Sequence, residues 1–516
     1  MRDDGPIGES TSEAGQIDRG IFATALLVVV GVCLPIMLWP AQAGTVITGT
    51  YDWIAHNFGI LYIWTVIGIV VFLGWIAFGR YGSHRLGGPG TAQEFSTFSW
   101  VAMLFCGGVG AGLVYWATIE WASYLDGPPF GAAPDSPEAL SFATSYGLFH
   151  WGLIAWTIYA LPTVAISVPF YSRRVNFLRF SASCSTFVGN REEHPGARAI
   201  DAVFMLALLA GAATSMGLAI PMISAACAEA LGLTRSFGLD VSIVAICVAL
   251  FAGTVFLGLE KGIQRLADLN VVLAFGLLAY IVIAGPTLFI LRTGTESIGF
   301  MLQNMPAMLT YTEPMRRSSF VEDWTIFYWA WWLAFGPFVG IFVTRISRGR
   351  TLRQLILSMA LFGSLGAWVF YIVLGNYALY LDLNGIVPVR EIMSEVDPAQ
   401  AIAAVIGNLP ASGLVLLVFA LLCIIFVATT YNSAAYALAS SATRQLGPGE
   451  DPGRWHRLFW AFVVGILPVA LMSVEGGTKV VTAAVLVASL PLIGISVLMC
   501  INLVRCLREE EANHAA

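Results

Sequence analysis

The chain has 516 residues, 58% of them hydrophobic and 11% charged, against about 25% charged in a typical soluble domain. Mean hydropathy is +0.78 and the formal net charge is −6. These values describe an integral membrane protein with small polar additions, and nothing in the chain is basic enough to suggest a nucleic-acid partner. The eight cysteines, at 33, 106, 184, 227, 247, 423, 500 and 506, lie mostly within apolar runs with no CxxC or metal spacing, and read as small core residues. No cleavable signal peptide is expected, because the first apolar run is long enough to span and lacks a small-residue cleavage pattern.

Residues 1–18 are polar and acidic and read as a disordered tail. Apolar stretches of spanning length then recur at 20–42, 58–79, 97–125, 139–171, 199–231, 239–258, 269–291, 322–345, 355–381, 411–440, 456–474 and 478–504, twelve in all. With both termini on the cytoplasmic side of a cell inner membrane, 20 of the 26 Lys and Arg fall in inside loops and 6 outside. An odd span count would scramble that segregation. The long outside segment 293–320 mixes apolar and polar residues as a surface-lying helix does, and 382–410 is similar.

Two spans carry glycine interruptions, Gly107–Gly112 (GGVGAG) in the third and Gly336–Gly340 (GPFVG) in the eighth. Unwound turns at matching places of two halves would put a binding site between them, although glycine is also common at helix–helix contacts in membranes. Two aromatic clusters accompany them. In the fourth span Trp151, Trp156 and Tyr159 share an arc of about 140° if the helix is continuous. In the eighth, Tyr328, Trp331, Trp332, Phe335 and Phe342 recur at helical spacing. Facing each other, these rings would wall an apolar pocket suited to a quaternary ammonium, which needs no hydrogen bond and is attracted to ring faces. Plain aromatic core packing fits the same spacing.

FYWAWW, PFVG and RISRGRT between 327 and 351, with HWGLIAWTIYA at 150–160, GVGAG at 108–112 followed by Glu120, and GLEKGIQRLADLN at 258–270, together resemble the betaine–carnitine–choline transporter family. The match runs in order from about 97 to 440. The resemblance implies an all-α membrane fold of twelve transmembrane helices. In it, two extra helices (19–95) precede two inverted five-helix repeats, helices 3–7 over 96–292 and helices 8–12 over 321–505, with the surface segment 293–320 between the repeats and a short tail at 506–516. It also implies a homotrimer embedded in membrane lipids. The implied cage is Trp151, Trp156, Tyr159 and Trp332, with Trp331 and Phe335 along the path. Gly112 stands where choline carriers often have Asp, which favours a zwitterion of betaine or carnitine type over a bare cation. Ser123 stands where carnitine-type members can place a cage tyrosine.

Sodium coupling is implied by Thr429 and Thr430, with carbonyl ligands near Cys106, Val109 and Phe426, and a second ion at Thr214 and Phe338. Hydroxyls bonded back to their own helix would give the same residues. Sodium-independent exchangers of the family place an Arg near the sodium position; Gln264 matches it here, with Arg265 adjoining. Glu120 is a functional candidate as an intramembrane charge, or a solvated residue near a helix end. His150 reads as a hydrogen-bonded packing residue more readily than as a ligand. Lys261, Arg265 and Asp268 read as an inside charge cluster, and Arg345, Arg348 and Arg350 as topology anchors. A membrane enzyme would need paired carboxylate, His or Cys constellations, which the 6 scattered histidines do not supply. A channel would need a continuous polar lining. Osmosensing relatives carry long charged tails, unlike LREEEANHAA at 507–516.

Overall fold

The structure is a computed structural model that describes residues 16–107, 110–172, 179–189, 194–256, 260–315, 317–444, 451–472, 474 and 477–515. Among these, side chains at 251, 254–256, 260–264, 477–479, 481 and 513–515 are outside the description. The described residues are almost wholly helical, with only two isolated β-bridges, Ile17 with Thr443 and Arg85 with Thr351.

Helices α1 (Arg19–Leu38) and α2 (Pro40–Phe78) lead the chain. The third span is broken into α3 (Thr97–Cys106) and α4 (Ala111–Asp126), bent by 61°. The fourth is α5 (Pro137–Trp151) and α6 (Leu153–Ser172), interrupted at Gly152. A short α7 (Ser185–Val188) precedes α8 (Pro195–Leu231), α9 (Phe237–Phe256), α10 (Glu260–Ala284) and α11 (Thr287–Thr310). A π-helical turn at Val321–Ile326 runs into α12 (Phe327–Ile346). Next, α13 (Leu352–Ser358), α14 (Ser364–Phe370) and α15 (Asn376–Leu383) form one span joined by π-helical turns at Met359–Gly363 and Tyr371–Gly375. Short α16 (Val389–Glu395) and α17 (Pro398–Gly407) lead to α18 (Ser412–Ser441), α19 (Arg454–Met472) and α20 (Gly477–Ala515). Ten of these segments are long and apolar enough to cross a membrane, and the bent α3–α4 pair makes eleven; within α9 the qualifying stretch, Phe237–Leu250, is shorter. The chain is a multi-pass membrane protein.

Several expectations shift. Residues 16–18 belong to the folded body: the Asp18 carboxylate caps α1 by accepting from Gly20 N at 3.1 Å, and it pairs with Arg198 and Arg444. Residues 1–15 of the expected tail lie outside the described residues. The surface helix starts at Thr287 and ends at Thr310, and buries Ile290, Gly294, Ser297, Met301 and Met308, a stripe at helical spacing. The C-terminal segment stays helical, and Glu510 and Glu511 reach back to His84 and Arg80.

Gly336–Gly340 is not an unwound turn. Helix α12 runs through it unbroken. A Cβ on Gly340 would sit 3.0 Å from Thr163 N, and one on Gly336 3.3 Å from Pro162 Cγ. These glycines let α6 lie close against α12, the packing role that small residues play in membranes.

The two ends of the bundle differ in chemistry. At one end Arg350 is buried, donates to Phe95 O and Thr97 Oγ1, and stacks over Trp100 at 4.4 Å; Trp100 in turn bonds Ser347 at 3.1 Å. Arg350 therefore ties the start of α3 to the end of α12, as well as being basic. At the other end Arg390 bonds Asp126 (2.9 Å), Asp135 (2.7 Å) and Asp382 (2.9 Å). Burial pulls the Arg390 pKa down, but these three hydrogen bonds outweigh it and hold the pKa above its ordinary value.

Candidate substrate cavity

The break at Gly152 organises the site. A helix that stops at Trp151 leaves its last carbonyls without partners, and two indoles from the second half of the chain take them. Trp332 Nε1 donates to His150 O at 2.8 Å, and Trp368 Nε1 to Leu148 O at 2.8 Å. With its one donor satisfied this way, Trp332 keeps its ring faces for other contacts. The break also means that the arc drawn for a continuous helix does not apply; Trp151 ends α5 while Trp156 and Tyr159 belong to α6.

The rings nevertheless converge. Trp151 meets Trp332 edge to face at 4.7 Å and 73°, Tyr159 meets Trp332 at 5.8 Å and 83°, and Trp156 meets Tyr159 at 5.6 Å and 82°. Successive walls are near perpendicular, so they form a box. Trp331 stacks behind Trp332 at 5.3 Å and 9°. Gly363 admits the box wall, since a Cβ there would fall 2.1 Å from the Trp156 ring. The cavity that these rings line is about 240 Å³, below the ~300–1,000 Å³ of drug-sized pockets, so it suits a small ligand.

All six aromatic residues assigned to substrate line this cavity, as does Gly112, which packs against Trp331 and Ser215. Phe342 does not; it is 41% exposed. Tyr124 is also absent from the box, because its hydroxyl is turned to Glu120 and His150. No carboxylate or basic side chain is among the described lining residues.

Of the residues assigned to sodium, Thr429, Thr430 and Phe338 line the same cavity, beside Gly107 and Gly110. Both threonine hydroxyls donate back to helix carbonyls, Thr429 to Ile425 O and Phe426 O at 3.0 and 2.9 Å, Thr430 to Phe426 O at 2.9 Å. Their protons are used and their lone pairs are not, so these oxygens keep the capacity to accept. The Phe426 carbonyl, in contrast, already accepts both hydroxyls. Cys106 closes α3 without lining the cavity, and Val109 lies outside the described residues, as does the side chain of Gln264. Thr214 is buried and bonds Ala210 O at 3.0 Å, whereas its neighbour Ser215 lines the cavity against Gly112. Ser215 was missed in the sequence; only its place in a Thr-Ser pair hinted at it. Ser433, one turn beyond Thr430, was also missed.

Glu120 is buried, not solvated, at 1% exposure. Its Oε1 accepts from Tyr124 Oη, and its Oε2 from Tyr328 Oη at 2.6 Å and from Tyr371 Oη. His150 completes the cluster through Tyr124 (2.9 Å) and Thr325 (3.1 Å). A Cβ at Gly147 would lie 2.2 Å from the Tyr371 ring, so only glycine lets that ring reach the carboxylate.

A bundle of apolar spanning helices, one bent at a glycine stretch, around a small aromatic-walled cavity has the architecture of a polytopic membrane carrier of small molecules. The family model for the betaine/carnitine/choline family transporter (BCCT) matches residues 20–512 of 516, and the chain belongs to that family.

Proposed function

We propose that the chain is a secondary active transporter that imports a quaternary-ammonium zwitterion, of glycine betaine or carnitine type, together with Na+ by alternating access. The observation that carries this reading is the box of near-perpendicular rings at Trp151, Trp156, Tyr159 and Trp332. An onium head has no proton to donate, and stacked or edge-on ring faces attract its spread charge. The zwitterion is favoured over choline because no described lining side chain is a carboxylate, and Gly112 occupies the wall where one would serve. The substrate carboxylate is directed toward Gly110, the cap of α4, whose first backbone N–H groups have no side-chain partner.

Sodium is the coupled cargo. The oxygens of Thr429 and Thr430 are its ligands in this reading, and their place in the lining of the same cavity as the box supports thermodynamic coupling. The arginine-rich end is cytoplasmic by the charge rule, in a cell inner membrane with both termini inside. The spans group as two inverted five-helix repeats after two extra helices, and three copies assemble as a homotrimer.

The test is uptake of labelled glycine betaine and carnitine into proteoliposomes with and without an inward Na+ gradient. Accumulation that requires the gradient is the expected result. Equal uptake without sodium would favour an exchanger, a reading that the back-bonded Thr429 and Thr430 hydroxyls also fit. Preferential uptake of choline would overturn the zwitterion.

A further inference from the structure

We propose that Glu120 is a positioning residue for substrate specificity: a fixed negative charge one aromatic layer behind the box, which makes the cavity prefer a cationic head over a neutral one of the same shape. This rests on the onium reading above. Three hydroxyl donors converge on two carboxylate oxygens, Tyr124 on Oε1 and Tyr328 and Tyr371 on Oε2. That donor set fits an ionised carboxylate. A protonated acid would have to donate to a hydroxyl whose proton already points back at it.

The rest of the network leaves that charge in place. Tyr124 has one proton, given to Glu120, so its oxygen accepts from His150 Nδ1–H at 2.9 Å, and Nε2 accepts from Thr325 Oγ1 at 3.1 Å. This assignment follows from the hydrogen-bond pattern and leaves the imidazole neutral. Among the described residues no Lys or Arg is a partner of Glu120. An intramembrane ion held without a counter-ion is costly, and the geometry points to its use.

Two of the three donors back the box directly. Tyr328 stacks on Trp332 at 5.6 Å and 18°, and the Tyr371 ring lies 6.0 Å from Trp151. A phenol donating to a carboxylate is electron-rich, so its ring face is a better partner for a cation. The carboxylate field itself reaches across that single layer in a low-dielectric interior. The same field repels an anionic group and so orients a zwitterion with its head toward Tyr328 and its carboxylate toward Gly110.

The competing role is mechanical: Glu120 would only clamp α4 to α12 and to the π-helical turn at Tyr371. The two roles separate in one measurement. Binding of glycine betaine and of 3,3-dimethylbutanoate, its isostere with carbon in place of nitrogen, is measured by calorimetry on the full chain in nanodiscs. Choline and 3,3-dimethylbutan-1-ol form a second pair. The readout is the ratio of the neutral-head to the onium Kd. In E120Q the ratio is expected to fall about tenfold, the scale of one charge across roughly 10 Å of protein interior, and in E120D to hold within about twofold. An unchanged ratio in E120Q, with both ligands weakened alike, overturns the inference and leaves the clamp. A ratio near one in the unmutated chain overturns the onium reading instead. Should E120Q fail to elute as a folded species, Tyr371→Phe carries the test: a fall of about threefold supports the inference, and an unchanged ratio overturns it.

Discussion

The two sides of the aromatic box are built from different materials. Toward the C-terminus of α4, Glu120, Tyr124, His150, Tyr328 and Tyr371 are all buried and joined by hydrogen bonds that cross from the first half of the chain to the second. Toward the C-terminus of α12, Phe335, Phe338, Thr429, Thr430 and Ser433 are only half-buried and Gly107 is exposed. The first side is bolted by a buried carboxylate network; on the second the lining itself is small, aromatic or hydroxylic, and the ties between the halves, Ser167 with Thr344 and Arg350 with Phe95 and Thr97, lie outside the lining. The cavity wall is therefore held most tightly on the carboxylate side. A change of conformation at the cavity would break the most polar contacts at that carboxylate network.

The comparison can be broken most severely at the carboxylate. Glu120→Ala leaves three buried tyrosine hydroxyls without an acceptor, at about 1–3 kcal/mol for each one not rescued. A clear fall in melting temperature in detergent is expected, larger than that of Glu120→Gln; equal melting temperatures for Glu120→Ala and the parent chain would show that the bolt does not hold this state together. Next in size is Gly363→Val. Its side chain would displace Trp156 from the box, an overpacking cost of about 1–3 kcal/mol. Betaine binding should weaken about tenfold while the sodium dependence of what remains is unchanged.

On the hydroxyl-lined side, Thr430→Ala removes one of the oxygens proposed to bind sodium. The sodium concentration for half-maximal uptake is expected to rise several-fold, about 1 kcal/mol, with little change in substrate affinity at saturating sodium. An unaltered sodium requirement in the Thr429→Ala/Thr430→Ala double variant would remove these residues from the coupling. The smallest effect is expected from Arg390→Ala. Two of its three aspartate partners, Asp126 and Asp135, are 57% and 62% exposed, and pairs of that kind contribute about 0–1 kcal/mol each, while Asp382, 7% exposed, also accepts from the Arg390 backbone N–H, which the substitution keeps. A change in uptake rate that vanishes in high salt would mark it as an aid to closure, not a lock.

Much of this was legible in the sequence, because it is written in residue type and spacing. Spans show as apolar runs, and Trp151, Trp156, Tyr159 and Trp332 stand out because indoles inside a span are unusual. What was hidden depends on partners remote in the chain. Gly152 breaks its helix because Trp332 and Trp368, about 180 and 220 residues on, donate their indole N–H groups to the freed carbonyls. Gly336–Gly340 stays helical because α6 presses on it, although the same glycines could have marked a loosened turn. Glu120 looked ambiguous near a helix end, and its burial follows from Tyr328 and Tyr371, 208 and 251 residues away. Asp18 looked like part of a tail until Arg198 and Arg444 met it. Ser215 was overlooked beside Thr214 because a one-residue shift on a helix turns a side chain by about 100°.

The central claim is that Trp332 and its neighbours recognise an onium head. It is tested most directly by measuring glycine betaine binding to the full chain before and after Trp332→Leu, a change that keeps apolar bulk and removes the ring. A loss of roughly 30-fold, the scale of a desolvated cation–π contact, with no loss for 3,3-dimethylbutanoate is the predicted result. Betaine affinity unchanged by Trp332→Leu would contradict it.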